Sequence, residues 1–134
     1  MDILCRLELP NKMKKVLIVE DDKDFLWVLK EGFNNQEFSI IYAQDGQEGL
    51  EMAQREKPDL VIIDISLPKI DGIEMAKLMK ESGVTAKMIF LTNLKDDDHI
   101  SRAITISSDA DYVIKSEMHI SDIVSRVRNK LGLV

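Results

Sequence analysis

The strongest constraint on the fold is a regular alternation, along the chain, of short apolar runs and longer amphipathic segments. The apolar runs are rich in β-branched residues and predict strands at 15–20, 38–43, 60–64, 87–92 and 111–115. The intervening segments carry apolar residues at helical spacing and predict helices at 22–34, 46–57, 71–82, 96–107 and 119–131. Runs that are apolar on both faces are typical of parallel strands buried between two helix layers. The alternation therefore predicts an α/β fold, a doubly wound five-stranded parallel sheet with helices on both faces.

Length and composition fit one domain of a soluble protein. The 134 residues include 45% hydrophobic and 31% charged side chains, and the formal net charge of -6 argues against broad binding to nucleic acid or membrane surfaces. No apolar run approaches the roughly 20 residues of a membrane-spanning helix, and Cys5, the single cysteine, cannot form an internal disulfide. We expect a cytoplasmic protein with an N-terminal extension at 1–13, where Pro10 and Asn11 disfavour regular structure, and one domain at 14–134.

An acidic residue ends the apolar run of the third predicted strand. Residues 60–63 are all apolar and lead directly into Asp64, although burying an unpaired carboxylate is costly. In a parallel α/β sheet the carboxyl ends of the strands meet at one edge, and ligands bind there. The polar residues expected at this edge with Asp64 are Glu20, Asp21, Asp22, Thr92 and Lys115. Asp64 is therefore predicted to lie among polar groups rather than inside the apolar core.

The predicted cluster has the composition of a site for phosphoryl transfer. Carboxylates held close together repel one another, and a divalent cation removes that penalty. Hard oxygen ligands favour Mg²⁺, which uses only one or two carboxylates and keeps several waters. The ammonium of Lys115 adds positive charge, and the hydroxyl of Thr92 adds a hydrogen-bond donor. In such surroundings the carboxylate of Asp64 can attack phosphorus and form an acyl phosphate.

Four segments, in this order, resemble the receiver domain of two-component response regulators. The segments are VLIVEDD (16–22), PDLVIIDISLPKIDG (58–72), MIFLTN (88–93) and DYVIK (111–115). The resemblance covers about residues 14–131, nearly the whole chain. It implies the flavodoxin-like (βα)5 fold, a three-layer sandwich in which the strand order is 2-1-3-4-5, and it makes 14–134 a receiver domain.

The resemblance also implies a role for each residue of the cluster. Glu20 and Asp21 correspond to the acidic pair that binds Mg²⁺, and Ser66 corresponds to the residue whose backbone carbonyl joins them. Asp64 corresponds to the phosphoacceptor, which is also a metal ligand. Lys115 corresponds to the lysine that pairs with the phosphoryl group.

A two-state switch is a further implication of the resemblance. Thr92 and Tyr112 correspond to the hydroxyl and the aromatic ring that move on activation, and the switching face comprises helix 96–107, strand 111–115 and helix 119–131. The implied partners are a histidine kinase or histidine phosphotransfer protein and a downstream protein target, without direct nucleic-acid or membrane contact. The domain would be a monomer or a weak homodimer through that face. It would not be an enzyme, because it catalyses only its own phosphorylation and dephosphorylation.

Two departures from the family pattern leave an alternative open. Ser116 follows Lys115 where the family usually has proline in a cis bond, and Asn93 follows Thr92 where it usually has a small residue. The alternative is a pseudo-receiver, an interaction module that is not phosphorylated. A small phosphohydrolase is less favoured, because Ser66 stands where such enzymes usually carry a second Asp. A nucleotide-binding flavodoxin-like protein is also less favoured, because no glycine-rich loop follows the first strand.

Two residues of the first predicted helix invite separate interpretations. Asp22 is expected to cap the helix rather than bind metal. Trp27 is expected on the side opposite Phe25, Leu29 and Phe33, and an exposed Trp often marks a contact surface. We hypothesise that Trp27 contacts the histidine-bearing partner; packing under the N-terminal extension is the alternative.

Overall fold

The computed structural model describes residues 13–34, 37–93 and 109–133. The strands in these ranges are β1 (Lys14–Val19), β2 (Phe38–Ala43), β3 (Leu60–Asp64), β4 (Lys87–Thr92) and β5 (Asp111–Ile114). The helices are α1 (Lys23–Gly32), α2 (Gly46–Glu56), α3 (Gly72–Glu81) and α4 (Ile120–Lys130), and a 3₁₀ turn at Lys115–Glu117 precedes α4.

The predicted element order is confirmed wherever the structure describes the chain. All the predicted strands form, and their ends shift by no more than a residue: β1 stops before Glu20, and β5 stops before Lys115. Predicted helix 96–107, and the extension at 1–13 apart from Met13, lie outside the described residues. No helix in the described ranges combines the length and the apolar character that crossing a bilayer requires.

The five strands form one parallel sheet in the order β2-β1-β3-β4-β5, as the resemblance implied. Val19 of β1 is paired with Ile63 of β3, and Asp64 of β3 is paired with Leu91 of β4. The residues that follow β1 and those that end β3 and β4 are therefore level with one another. This register brings distant parts of the sequence to one carboxyl edge of the sheet.

The sheet is buried on both faces because its strand side chains alternate between two apolar clusters. One cluster lies against α2 and α3, and its buried members include Leu17, Val19, Val61, Ile63, Phe90, Ile73, Met75 and Met79. The other lies against α1 and α4, and its buried members include Val16, Ile18, Leu60, Ile62, Leu91, Leu26, Leu29, Phe33, Ile123 and Val127. Burying each large side chain contributes roughly 1.5–3 kcal/mol. The central strands are consequently a firm base for polar residues at their ends.

The loop between β3 and α3 is fixed by close backbone packing. A Cβ atom on Gly72 would lie 2.2 Å from the backbone oxygen of Asp64, so only glycine fits there. The N–H of Gly72 donates to the carbonyl of Ile65 at 2.8 Å. Asp71 caps α3 by accepting a hydrogen bond from the N–H of Glu74 at 2.8 Å. These contacts hold the backbone that immediately follows Asp64.

Candidate functional site

Three acidic side chains meet at the carboxyl edge of the sheet. Glu20 and Asp21 follow β1, and the N–H of Glu20 still bonds the carbonyl of Ala43 on β2 at 3.0 Å. Asp64 is the last residue of β3. One carboxylate oxygen from each of Glu20, Asp21 and Asp64 lies within 4.8 Å of the other two. Glu20 and Asp64 are 0% and 4% exposed, whereas Asp21 is exposed, so the cluster opens to solvent on the Asp21 side.

Lys115, which directly follows the outer strand β5, supplies a cation to this cluster. Its Nζ donates to Glu20 Oε1 at 2.5 Å and to Asp64 Oδ2 at 2.9 Å, and its side chain is only 10% exposed. The described residues contain no cis peptide bond, so the bond from Lys115 to Ser116 is trans. With Ser116 in place of the usual proline, Lys115 still reaches the acids.

The second oxygen of the Asp64 carboxylate is also held. Asp64 Oδ1 accepts a hydrogen bond from the N–H of Ser66 at 3.1 Å. The backbone between them is anchored because the N–H of Ile65 donates to the carbonyl of Leu91 at 2.9 Å. Contacts at both carboxylate oxygens fix the plane of the Asp64 side chain.

The two predicted switch residues occupy different environments. Thr92 ends β4 and is 1% exposed, and it directly follows Leu91, the pairing partner of Asp64. Tyr112 is paired with Phe90, two residues below Thr92 on β4, and packs partly buried against the cluster on the α2–α3 face. Thr92 therefore lies next to the Asp64–Leu91 pair at the carboxyl edge of the sheet, and Tyr112 lies in the adjoining core.

Burial controls the protonation of Glu20. The pKa of Glu20 is raised from 4.5 to about 9, chiefly by desolvation on burial and also by the hydrogen bond and charge of Asp64. The Lys115 ammonium opposes this rise but does not cancel it. Burial lowers the pKa of Lys115, but its contacts with the two carboxylates outweigh burial and leave that pKa raised. Both shifts fit a cluster in which a cationic Lys115 stands beside a protonated Glu20.

The residues present fit a divalent cation. Glu20 Oε2 is buried and has no hydrogen-bond partner among the described residues, although a buried carboxylate oxygen normally has one. It belongs to the group of three acids whose oxygens approach within 4.8 Å. A cation bound by these oxygens would satisfy that oxygen and remove the repulsion between the acids.

Phe25 also contacts this site, although the sequence pattern does not predict it there. The centroid of its ring lies 4.6 Å from Lys115 Nζ. Its spacing on α1 predicts only a place in the apolar stripe, because helical spacing does not show a contact with a residue ninety positions away.

The cap predicted at Asp22 is confirmed, because its side chain accepts from the N–H of Asp24 at 3.0 Å and of Phe25 at 3.3 Å. Trp27 is 62% exposed, as expected.

A family model described as the response regulator receiver domain matches residues 16–128 of the chain. The chain belongs to the response regulator receiver domain family. This membership, together with the acidic pocket of Glu20, Asp21 and Asp64, is consistent with phosphoacceptor function. A receiver domain implies a kinase or phosphotransfer partner and is not a conventional enzyme.

Named relatives and solved structures agree with this assignment. The chain is 30% identical over 115 residues to the alkaline phosphatase synthesis transcriptional regulatory protein PhoP of Bacillus subtilis, covering 86% of this chain and 47% of PhoP. It therefore spans about half the length of that relative. The receiver domain protein of Methanospirillum hungatei superposes with a TM-score of 0.82 at 23% identity, over 90% of this chain and 95% of that one. A CheX–CheY–BeF₃–Mg²⁺ complex from Borrelia burgdorferi gives 0.78 at 26% identity, over 87% and 88%.

Proposed function

We propose that the chain is a phosphoacceptor receiver domain, spanning residues 14–134, that takes a phosphoryl group on Asp64. The donor is the phosphohistidine of a histidine kinase or a histidine phosphotransfer protein. The phosphorylated domain then signals by contact with a downstream protein. One observation carries the proposal: Lys115 Nζ lies 2.9 Å from Asp64 Oδ2 in a pocket that also gathers the carboxylates of Glu20 and Asp21.

Phosphoryl transfer requires an ionised, correctly oriented nucleophile. The contacts from Lys115 and the Ser66 N–H hold the Asp64 carboxylate at the carboxyl edge of the sheet. One carboxylate oxygen of Asp64 attacks phosphorus, an O–P bond forms, and the P–N bond of the phosphohistidine breaks. The imidazole leaves with the bonding pair, and Asp64 becomes an acyl phosphate. Later attack by water breaks the same O–P bond and restores the carboxylate with release of phosphate.

Charge on the transferring group must be balanced throughout this step. Glu20, Asp21, Asp64 and the backbone carbonyl of Ser66 are the proposed holders of Mg²⁺. A bound Mg²⁺ supplies positive charge that stabilises the phosphoryl oxygens. Lys115 would supply a second positive charge next to Asp64, and its low exposure makes that charge more effective than one in water.

The proposed readout uses the switch residues and the partner surfaces. Thr92 is the hydroxyl proposed to follow the phosphoryl group, and Tyr112 is the aromatic side chain proposed to respond. Their movement would alter the proposed switching face, of which β5 and α4 are the described elements, and that face would bind the target or a second copy weakly. Trp27 remains the proposed contact with the histidine-bearing partner, and its 62% exposure supports that role.

Intact-mass spectrometry tests the phosphoacceptor directly. The protein is incubated with acetyl phosphate and Mg²⁺, and we expect a gain of one phosphoryl group that Asp64→Asn abolishes. Asp59→Asn is the matched control, because Asp59 precedes β3 at the opposite edge of the sheet, where it accepts from the N–H of Lys15 at 2.8 Å. Full labelling of the Asp59 variant supports the proposal. No labelling of the wild type would instead favour an unphosphorylated interaction module.

A further inference from the structure

The ammonium of Lys115 lies between two carboxylates and an aromatic ring. Its Nζ is 2.5 Å from Glu20 Oε1, 2.9 Å from Asp64 Oδ2 and 4.6 Å from the ring centroid of Phe25. Two of its three N–H donors are taken up by carboxylates. The ammonium also lies over the face of the Phe25 ring, which attracts cations electrostatically. The ring therefore contacts the side chain that we propose pairs with the phosphoryl group.

Phe25 reaches this position from the first turn of α1 and is held there. Its N–H donates to Asp22 Oδ1 at 3.3 Å, so the cap that begins the helix also fixes the backbone beneath the ring. Phe25 is partly buried and packs against the cluster on the α1–α4 face. The acidic pair and the ring are consequently carried by one short stretch, residues 20–25.

The ring differs from the other partners of Lys115 because its attraction does not depend on the state of the site. A lysine side chain is long and flexible, so holding its ammonium in one orientation has an entropic cost. Asp64 changes its charge and shape when it becomes an acyl phosphate, and Glu20 is a proposed metal ligand. Phe25 takes part in neither change, so its contact can hold Lys115 in both.

We propose that Phe25 is a positioning residue, which holds the Lys115 ammonium over the phosphoacceptor in the unmodified and the phosphorylated states. The inference rests on the proposed function of Asp64. Replacing the ring by an aliphatic group keeps most of the apolar packing and removes the attraction for the cation. We expect the affinity for a phosphoryl group or its analogue to fall roughly two- to tenfold, because binding must then order a Lys115 side chain that the ring no longer holds in the free protein, and this is the usual cost of immobilising one flexible side chain.

The first experiment measures the affinity for beryllofluoride, a phosphoryl analogue, by ¹⁹F NMR titration in the presence of Mg²⁺. Phe25→Leu is compared with Phe25→Tyr, which keeps an aromatic ring. Phe33→Leu is the matched control, because Phe33 is buried directly after the last residue of α1 and its ring contacts Phe38 rather than Lys115. We expect the Phe25→Leu variant alone to lose affinity, and we expect Phe25→Leu to add no loss in a Lys115→Met background.

The second experiment uses metal-free protein and the ¹⁵N relaxation of the Lys115 ammonium. We expect its order parameter to fall in Phe25→Leu and to stay at the wild-type value in Phe33→Leu. Equal losses of beryllofluoride affinity in Phe25→Leu and Phe33→Leu, or the same loss with and without Lys115, would overturn the proposal. A wild type that binds no beryllofluoride would refute the phosphoacceptor function instead. The order parameter would then decide the role of Phe25, and an unchanged value in Phe25→Leu would overturn it.

Discussion

The buried acid of the pocket should destabilise the metal-free protein at neutral pH, and Glu20→Gln should relieve that cost. Glu20 is 0% exposed, and burial, followed by the neighbouring Asp64, raises its pKa to about 9. In the unfolded chain Glu20 titrates at its ordinary value of 4.5. The folded protein therefore binds more protons than the unfolded chain, and its stability falls as pH rises from about 4.5 to about 9. Glutamine has nearly the same shape and carries no charge.

The size of the effect at pH 7 follows from the unfolded pKa. Folding at that pH must protonate Glu20, which is ionised in the unfolded chain, at about 1.4 kcal/mol for each pH unit above 4.5. The cost is about 3 kcal/mol at pH 7 and about 1 kcal/mol at pH 5. We expect metal-free Glu20→Gln to gain stability over the wild type by up to this amount, with the gain shrinking as the pH is lowered.

Urea denaturation from pH 5 to pH 8 measures the cost of the buried acid when a chelator is present. The same titration with saturating Mg²⁺ measures how far the cation offsets that cost. Mg²⁺ should stabilise the wild type by about 2.7 kcal/mol at one hundred times its dissociation constant, and should stabilise Glu20→Gln less. Glu56→Gln is a control of opposite sign. The hydrogen bond from Lys15 lowers the pKa of Glu56, so Glu56→Gln should lose a little stability at neutral pH.

The competing effect is the contact between Glu20 and Lys115. Removing one partner of a buried ion pair is normally destabilising, because it leaves the other charge unpaired. Here Lys115 keeps Asp64 at 2.9 Å, so its charge remains compensated in the variant. A metal-free Glu20→Gln protein that is less stable than the wild type at pH 7 would show that the ion pair outweighs burial, and would refute the reasoning.

Three further substitutions probe other parts of the structure. Gly72→Ala should cost roughly 1–3 kcal/mol in urea denaturation, because the added Cβ would lie 2.2 Å from the backbone oxygen of Asp64; unchanged stability would contradict the described loop. Trp27→Ala should slow phosphotransfer from the cognate histidine-bearing partner about tenfold or more while leaving acetyl phosphate labelling unchanged. Val28→Ala, at a neighbouring exposed position, is its control, and equal transfer rates in both variants would rule out the Trp27 contact. Asp22→Ala should lower the free energy of unfolding by about 1 kcal/mol, because the α1 cap is lost, and should leave the affinity for Mg²⁺ unchanged. A weaker affinity in a Mg²⁺ titration would show that Asp22 is a ligand.

The part of the site that sequence reasoning could predict is the part that strand topology determines. A strand ends where its apolar run ends, and parallel strands bring their carboxyl ends to one edge. Asp64 on β3 and Lys115 after β5 are therefore expected together, and their polar atoms are 2.9 Å apart. Glu20 and Asp21 are expected at the same edge because they follow β1. Each of these predictions needed only the position of a residue along its strand.

The remaining features depend on contacts between side chains from distant elements. Glu20 and Asp21 are adjacent acids, but Glu20 is buried and protonation-prone while Asp21 faces solvent. The direction in which each points depends on the path of the chain after β1, which composition does not encode. Phe25 has the spacing of an ordinary core residue, yet its ring faces an ammonium contributed by another strand end. Periodicity assigns a side chain to a face of a helix but does not identify its neighbours there.

The buried carboxylate of Glu20 lowers the stability of the metal-free fold but favours binding of a cation. A fold selected only for stability would place an apolar residue at this fully buried position, because the α1–α4 and α2–α3 clusters already enclose the sheet. A buried carboxylate with an unpartnered oxygen instead makes the metal-free pocket costly and a cation-bound pocket favourable. Binding of the cation must release the proton from Glu20, so affinity should rise with pH up to about 9. The surrounding core stabilises a pocket that is by itself destabilising, and a bound cation would offset that local cost.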